Sequence, residues 1–304
     1  MTRIAILGPG GVGGFVAAAL IRGGENPVVV ARETTARHIA ENGIAVQSVR
    51  LGEFTVRPAA VSRLTEAVDV LVVATKAGAL RGALERIEAQ PALVVPLMNG
   101  VEHMAVLRAR FATVVAGVIR IEVDRPGPGR VVQTSPAVRI DMATENPSLA
   151  GPVERLATVF EGARVPAVVR ESEAEVLWRK LVRLCALACT TSAANAPLGY
   201  IRTDPRWRSA LEGAINEAAE VAMAEGAGVE AAGPLAELEE APADLGSSMQ
   251  RDIEAGRVPE LDAIAGAVLR AGARHGLRCP TITWLASRVA ERAGIAAPLL
   301  TEEG

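Results

Sequence analysis

Short apolar runs alternate with helical periodicity through the first half of the chain, and helical periodicity alone fills the second half. Ile4–Leu7 and residues 28–31 read as strands, with an alanine-rich helix over 15–22 between them. Residues 45–51 and 54–57 form a hairpin-like pair of β runs. Residues 68–74 are almost wholly apolar, as a central parallel strand covered on both faces requires. Strands at 92–96 and 114–118 follow, with helices near 79–88 and 102–111. Pro126-Gly127-Pro128-Gly129 turns between β runs at 119–123 and 130–133. A strand at 138–141 and a helix at 152–161 complete this half. From about Ser172 the strands stop. Helices are predicted over 173–190, 209–225 and 260–274, and 234–244 reads as a softer connection. The boundary therefore falls near residue 170, giving an α/β part over 1–170 and an all-helical part over 171–304. No internal repeat is visible.

The first strand breaks into Gly8-Pro9-Gly10-Gly11-Val12-Gly13 and then a helix. A strand running into Gly-x-Gly-x-x-Gly and a helix is the signature of a Rossmann-type dinucleotide site. Gly8 allows the tight turn, Gly10 lets the backbone approach the pyrophosphate, and Gly13 lets helix and strand pack closely. The helix N-terminus then offers N–H groups and a positive dipole end to the anion. The expected fold class is thus α/β, with an N-terminal dinucleotide-binding domain followed by a helical C-terminal domain.

Composition narrows the function. Of 304 residues half are hydrophobic and the net charge is only −3, which argues against disorder and against a nucleic-acid surface. Aromatic residues are only 3%, so the core is built from Ala, Val, Leu and Ile. No run approaches the roughly 18 apolar residues of a membrane span. The chain opens directly into strand and glycine turn without a signal-peptide pattern. Cys185, Cys189 and Cys279 make no disulfide framework, and no His or third Cys completes a metal set near the first two. A cytoplasmic protein with no metal is expected. His38 and His103 fall on helices expected to be exposed, and His275 sits in a helix-ending turn.

An arginine at the end of the second strand suits a 2′-phosphate, where an acidic residue would suit a free 2′-hydroxyl. That position is Arg32, followed by Glu33 and, one turn on, Arg37. NADP is favoured over NAD, with a plain surface Arg–Glu pair as the competing reading. Thr75-Lys76 closes the buried strand and Met98-Asn99-Gly100 the next, both at the C-terminal edge where open α/β sheets bind ligands. Lys180 stands in a mostly apolar helix, where it either snorkels or serves a cleft.

These stretches together resemble the ketopantoate reductase (2-dehydropantoate 2-reductase) family over nearly the full length. The matching pieces are the glycine turn, Arg32, Thr75-Lys76, Asn99-Gly100, Pro128-Gly129, Leu177-Trp178-Arg179-Lys180-Leu181 and Ser247-Ser248-Met249-Gln250-Arg251-Asp252. The last continues through Gly256-Arg257 and Glu260-Leu261-Asp262 to Gly266. The resemblance implies NADPH-dependent reduction of a 2-oxo acid, ketopantoate to pantoate first of all, within pantothenate biosynthesis. It makes Lys180 the general acid, and makes Glu260 a catalytic residue that binds the substrate hydroxyl and orients the lysine. Ser248 would bond the substrate carboxylate, and Lys76 and Asn99 would line the cofactor side, Asn99 also reaching substrate. Gly8, Gly10, Gly11, Val12, Gly13 and Arg32 would hold NADP. Taken alone, Glu260 is equally a first-turn carboxylate favoured by the helix dipole, and Ser248 an N-cap. The partner is a small 2-oxo acid, not nucleic acid or membrane, and a homodimer is compatible with the alanine-rich helices.

The sequence departs from the family four and eight residues after the lysine. Asparagines are usual there, whereas this chain has Leu184 and Ala188. Losing two amides relaxes the demand for a substrate hydroxyl, and Arg183, Thr191 or Asn195 could compensate. A related reductase or dehydrogenase for another 2-oxo acid therefore stays open, as does a non-catalytic NADP-binding sensor.

Overall fold

The computed structural model describes residues 2–299. They form two compact units, the first of residues 2–98 and 103–176, the second of residues 99–102 and 177–299. The division thus falls within a helix at 176/177, and four residues from the middle of the first half belong to the second unit.

The first unit carries strands β1 (Ile4–Leu7), β2 (Val28–Val30), β3 (Ile44–Ser48), β4 (Gly52–Val56), β5 (Ala59–Val61), β6 (Val70–Val73), β7 (Leu93–Pro96), β8 (Ala116–Gly127), β9 (Arg130–Ala143) and β10 (Ala167–Arg170). Its helices are α1 (Gly11–Arg22), α2 (Glu33–Asn42), α3 (Leu80–Leu84), α4 (His103–Arg108) and α5 (Pro147–Gly162). One sheet is parallel throughout, in the order β5-β2-β1-β6-β7. Every residue of β1, β6 and β7 is buried, which explains their unbroken apolar character. The chain winds from β1 outward to β2 and β5, then returns to β6 beside β1. That reversal is the switch point where doubly wound sheets hold ligands.

The second sheet runs β10-β9-β3-β4, with β8 antiparallel to β9. The first half of β9 pairs with β3 and its second half with β10. Four separate runs expected at 114–118, 119–123, 130–133 and 138–141 are therefore two long strands. Residues 134–137, polar and containing Pro136, fit inside β9 because the β8 register shifts there, between Ile121 and Val123. A proline without an N–H is tolerated at such a bulge. Buried Ser48 Oγ donates to Gln133 Oε1 at 2.5 Å, and Gln133 Nε2 donates to Ser135 O, so the break is tied to the strand beside it. Helix α1 is buried on every side over residues 13–20, and a Cβ on Gly14 would meet Val131 Cγ2 of β9 at 2.8 Å. The helix is apolar all round because it fills the core between the sheets.

Helix α5 begins five residues before the expected 152. Asn146 caps it, its Oδ1 accepting from the Ser148 N–H at 3.0 Å, and Pro147 takes the first position. His103, expected to be exposed, is buried at the start of α4.

The second unit is helical: α6 (Glu173–Ala194, its first residues counted with the first unit), α7 (Leu198–Thr203), α8 (Pro205–Ala224), α9 (Ala232–Glu240), α10 (Ser248–Glu254), α11 (Ala267–Arg274) and α12 (Pro280–Ala293). Residues 185–193 of α6 are all buried, so this helix is the unit's core. The connection expected at 234–244 is largely helix α9. Its Ala, Leu and Glu residues are good helix formers, and Arg202 donates to the terminal carbonyls of Leu238 and Ala241 at 3.0 Å each. The helix expected over 260–274 widens into one π turn at Asp262–Gly266 before continuing as α11. Among the described residues no helix is long and apolar enough to cross a membrane.

Candidate active site

In the first unit the glycine turn is pinned at the switch point. The Gly8 N–H donates to Val30 O at 3.0 Å, and the Gly10 N–H to Gly8 O at 2.8 Å. Gly8 has φ +91, and a Cβ there would stand 2.7 Å from Thr75 Cγ2. A Cβ on Gly13 would stand 2.2 Å from Gly8 O. These two glycines are therefore required by packing. Gly10 differs, since a Cβ there would meet nothing within 4 Å. The open space beside Gly10 is where a pyrophosphate needs room, and Gly11, Val12 and Gly13 begin α1, whose first N–H groups have no partner within the helix. The residues present fit a dinucleotide.

Arg32 lies two residues past Val30, the end of β2 that the glycine turn is bonded to, and is the exposed N-cap residue of α2. Arg37 pairs with Glu33 at 2.9 Å, so the acidic residue beside Arg32 is engaged by a second guanidinium. Lys76, exposed at the end of β6, precedes a 3₁₀ turn at Ala77–Ala79. Thr75 against Gly8 places this strand end beside the glycine turn, so the structure brings Gly8, Gly10, Gly11, Val12, Gly13, Arg32 and Lys76 to one edge of the sheet.

The second unit holds the remaining residues. Lys180 is half-buried on α6. One and two turns further on the same helical face stand Leu184, half-buried, and Ala188, fully buried. Glu260 lies two residues before the first residue of the π turn and is also half-buried. Its Oε2 accepts from Asn99 Nδ2 at 3.0 Å. Asn99 comes to this carboxylate because residues 99–102 pack with the second unit. Gly100, at φ +82, would place a Cβ 2.4 Å from Ala263 O of the π turn, so only glycine allows the approach.

Ser248 is exposed at the first position of α10, and the capping role belongs to its neighbour. Ser247 Oγ accepts from the Gln250 N–H at 3.1 Å and from Thr191 Oγ1 at 3.0 Å. Thr191 is thereby committed to a buried hydroxyl pair. Arg183 pairs with Glu237 of α9 at 3.5 Å, and Arg179 donates to the same carboxylate at 3.3 Å, so Arg183 is drawn toward α9. Sequence reasoning does not single out Glu102 and Arg270. Arg270 Nε and Nη2 donate to the two Glu102 carboxylate oxygens at 2.7 and 2.8 Å, with the arginine buried. An arginine directly after Leu269 in an apolar helix face was the available signal.

A parallel sheet with a Gly-x-Gly-x-x-Gly turn at its switch point, followed by a helical unit, is the architecture of a dinucleotide-dependent enzyme. The family model described as ketopantoate reductase PanE/ApbA matches residues 4–144, and its C-terminal counterpart matches 174–300. The 2-dehydropantoate 2-reductase of Caulobacter vibrioides is 30% identical over 294 residues, covering 92% of this chain and 95% of that protein. The uncharacterized oxidoreductase YkpB of Bacillus subtilis is 26% identical over 292 residues, covering 92% and 95%. Among solved structures, D-mandelate dehydrogenase with NADH and anilino(oxo)acetate superposes with a TM-score of 0.88 at 19% identity, covering 96% and 98%, a likeness of fold. The chain belongs to the ketopantoate reductase family.

Proposed function

We propose that this protein reduces a 2-oxo acid to the 2-hydroxy acid with NADPH, ketopantoate being the first substrate to test. The observation that carries the reading is the Glu260 carboxylate held by the Asn99 amide in the same unit as a half-buried lysine. A reduced nicotinamide supplies a hydride, two electrons and one proton, to C2 of the substrate. As C2 gains it, negative charge grows on the carbonyl oxygen. The Lys180 ammonium stabilises that charge and delivers the proton that turns the alkoxide into the hydroxyl. One 2-oxo acid and one proton are thus consumed per NADPH oxidised. Glu260 binds the substrate hydroxyl and keeps the ammonium oriented, and Asn99 fixes Glu260. Ser248, exposed at the start of α10, bonds the substrate carboxylate. Arg32 meets the 2′-phosphate, which NAD lacks, and Lys76 adds positive charge at the same sheet edge.

NADPH oxidation measured against a panel of 2-oxo acids tests this reading. Turnover that is lost in Lys180→Ala while NADPH still binds supports it, with an expected fall of about 10²–10⁴-fold. A parent protein that binds NADPH but reduces no 2-oxo acid would instead indicate a sensor. A second reading has its own support. Leu184 and Ala188 make the lysine-bearing face of α6 apolar, which favours a 2-oxo acid with an apolar side chain over the hydroxyl-bearing ketopantoate. Ranking kcat/KM for ketopantoate against branched and aromatic 2-oxo acids decides between them.

A further inference from the structure

Residues Asn99–Glu102 are a four-residue excursion. Met98 before them and His103 after them belong to the first unit, yet they pack with the second. Three fastenings hold them there. Asn99 bonds Glu260 at 3.0 Å, the backbone of Gly100 lies against Ala263 O, and Glu102 meets Arg270 through two parallel bonds. The Glu102–Arg270 pair makes the most bonds of the three. Arg270 is buried, and its remaining donors go to the π turn and its surroundings. Nη1 reaches Asp262 Oδ1 at 2.8 Å and Leu299 O at 3.2 Å, while Nη2 reaches Asp262 O and Oδ2, each at 3.2 Å. The guanidinium fork therefore ties the excursion to Asp262, two residues after Glu260. Charge-assisted, two-pronged bonding of this kind fixes orientation in a way that a point charge cannot. The π turn adds to the argument. Its Asp262 carbonyl accepts both the Ala267 N–H and Arg270 Nη2, so the wide turn and the arginine share one acceptor. Wide turns of this kind recur at functional sites.

We propose that Arg270, acting through Glu102 and Asp262, is a positioning residue that keeps the Asn99 amide on the Glu260 carboxylate. It touches neither substrate nor cofactor. Its effect on turnover rests on the reduction reading above, whereas the clamp itself is open to direct measurement.

The test uses the full chain as wild type, Arg270→Lys and Glu102→Gln. The second variant, at a half-buried position, guards against a folding failure of the first. Hydrogen exchange followed by mass spectrometry reads the clamp. Exchange over residues 97–104 should accelerate about tenfold or more in both variants, with residues 4–22 unchanged. Turnover reads the consequence. The value of kcat should fall roughly 10–100-fold in both, with KM for NADPH within about twofold of wild type, because small displacements of positioned groups cost that much. Adding Glu102→Gln to Asn99→Ala should lower kcat by less than about threefold more, since the group being positioned is already gone. Unchanged exchange at 97–104, faster exchange spread evenly over the second unit, or full additivity with Asn99→Ala would each overturn the proposal. If the wild type reduces no 2-oxo acid, the reduction reading falls and the exchange result alone decides the clamp.

Discussion

Gly10 and Gly13, three residues apart in the same motif, answer to different forces, and alanine substitution separates them. In Gly13→Ala the new Cβ would lie 2.2 Å from Gly8 O, 3.1 Å from Gly8 C and 3.2 Å from the Ala74 Cβ. Ordinary contact begins at 3.4 Å, so something must move by 3.4 − 2.2 = 1.2 Å. The obstructing atom is backbone, and Gly8 is fastened on both sides by the bonds Gly8 N to Val30 O and Gly10 N to Gly8 O. Overpacking of this kind costs about 1–3 kcal/mol, and the upper end is expected here because neither partner is a flexible side chain. For a unit of this size that lowers Tm by roughly 5–10 °C. Gly10→Ala meets nothing within 4 Å and has φ −73, so the substituted protein without cofactor should unfold within about 2 °C of wild type. Its Cβ instead occupies space the pyrophosphate needs. The Kd for NADPH should rise about tenfold or more, which corresponds to about 1.4 kcal/mol. Thermal unfolding of both variants without cofactor and a fluorescence titration with NADPH measure the two effects separately. A Gly10→Ala protein that is stable and binds NADPH like wild type would refute the placement of the pyrophosphate on this turn. A Gly13→Ala protein with unchanged Tm would refute the packing argument.

Leu184→Asn restores an amide one turn after Lys180 and should raise the kcat/KM ratio of ketopantoate to an unbranched, hydroxyl-free 2-oxo acid by about tenfold, read from initial rates on the two substrates. Ala188 is fully buried and is a poorer site for the same change. Arg32→Asp should weaken NADPH roughly 10–100-fold and improve NADH, because a charge-assisted bond to the 2′-phosphate is exchanged for repulsion; equal KM values for the two cofactors in wild type would end the assignment. Burial, reinforced by the charges of Glu217 and Glu220, pushes the Cys279 thiol from 9.0 up to about 11. Cys185 is raised as well, by its hydrogen bond with the Cys189 thiol and then by burial. The folded protein thus keeps protons that the unfolded chain releases. This contribution is fully present below pH 9.0 and is lost as the pH rises toward 11. Urea denaturation at pH 8 and 10.5 should show a smaller loss in Cys279→Ala than in wild type.

The glycine turn, Arg32, Thr75-Lys76 and the apolar strands β1, β6 and β7 were legible because local pattern determines them. A strand buried on both faces must be apolar throughout, and a turn against a phosphate must be glycine. The boundaries were less legible where a local signal misled. Pro152 reads as a helix start, but Asn146 with Pro147 begins α5 five residues earlier. Residues 134–137 read as a break between strands, but pairing with β8 carries β9 across them. Of the serine pair at 247 and 248, the structure makes Ser247 the cap of α10, since its Oγ accepts from the Gln250 N–H and also from Thr191, 56 residues away.

By itself the sequence determined that a Gly-x-Gly-x-x-Gly turn between strand and helix opens the chain and that an α/β part precedes a helical one. These follow from periodicity and spacing, which act over a few residues, whereas Lys180, Ser248 and Glu260 were picked out by the family resemblance. Tertiary structure alone decided that Asn99 spends its amide on Glu260 and that Glu102 is held by Arg270, 168 positions away. Such pairings depend on which distant backbones meet, and no local propensity encodes that.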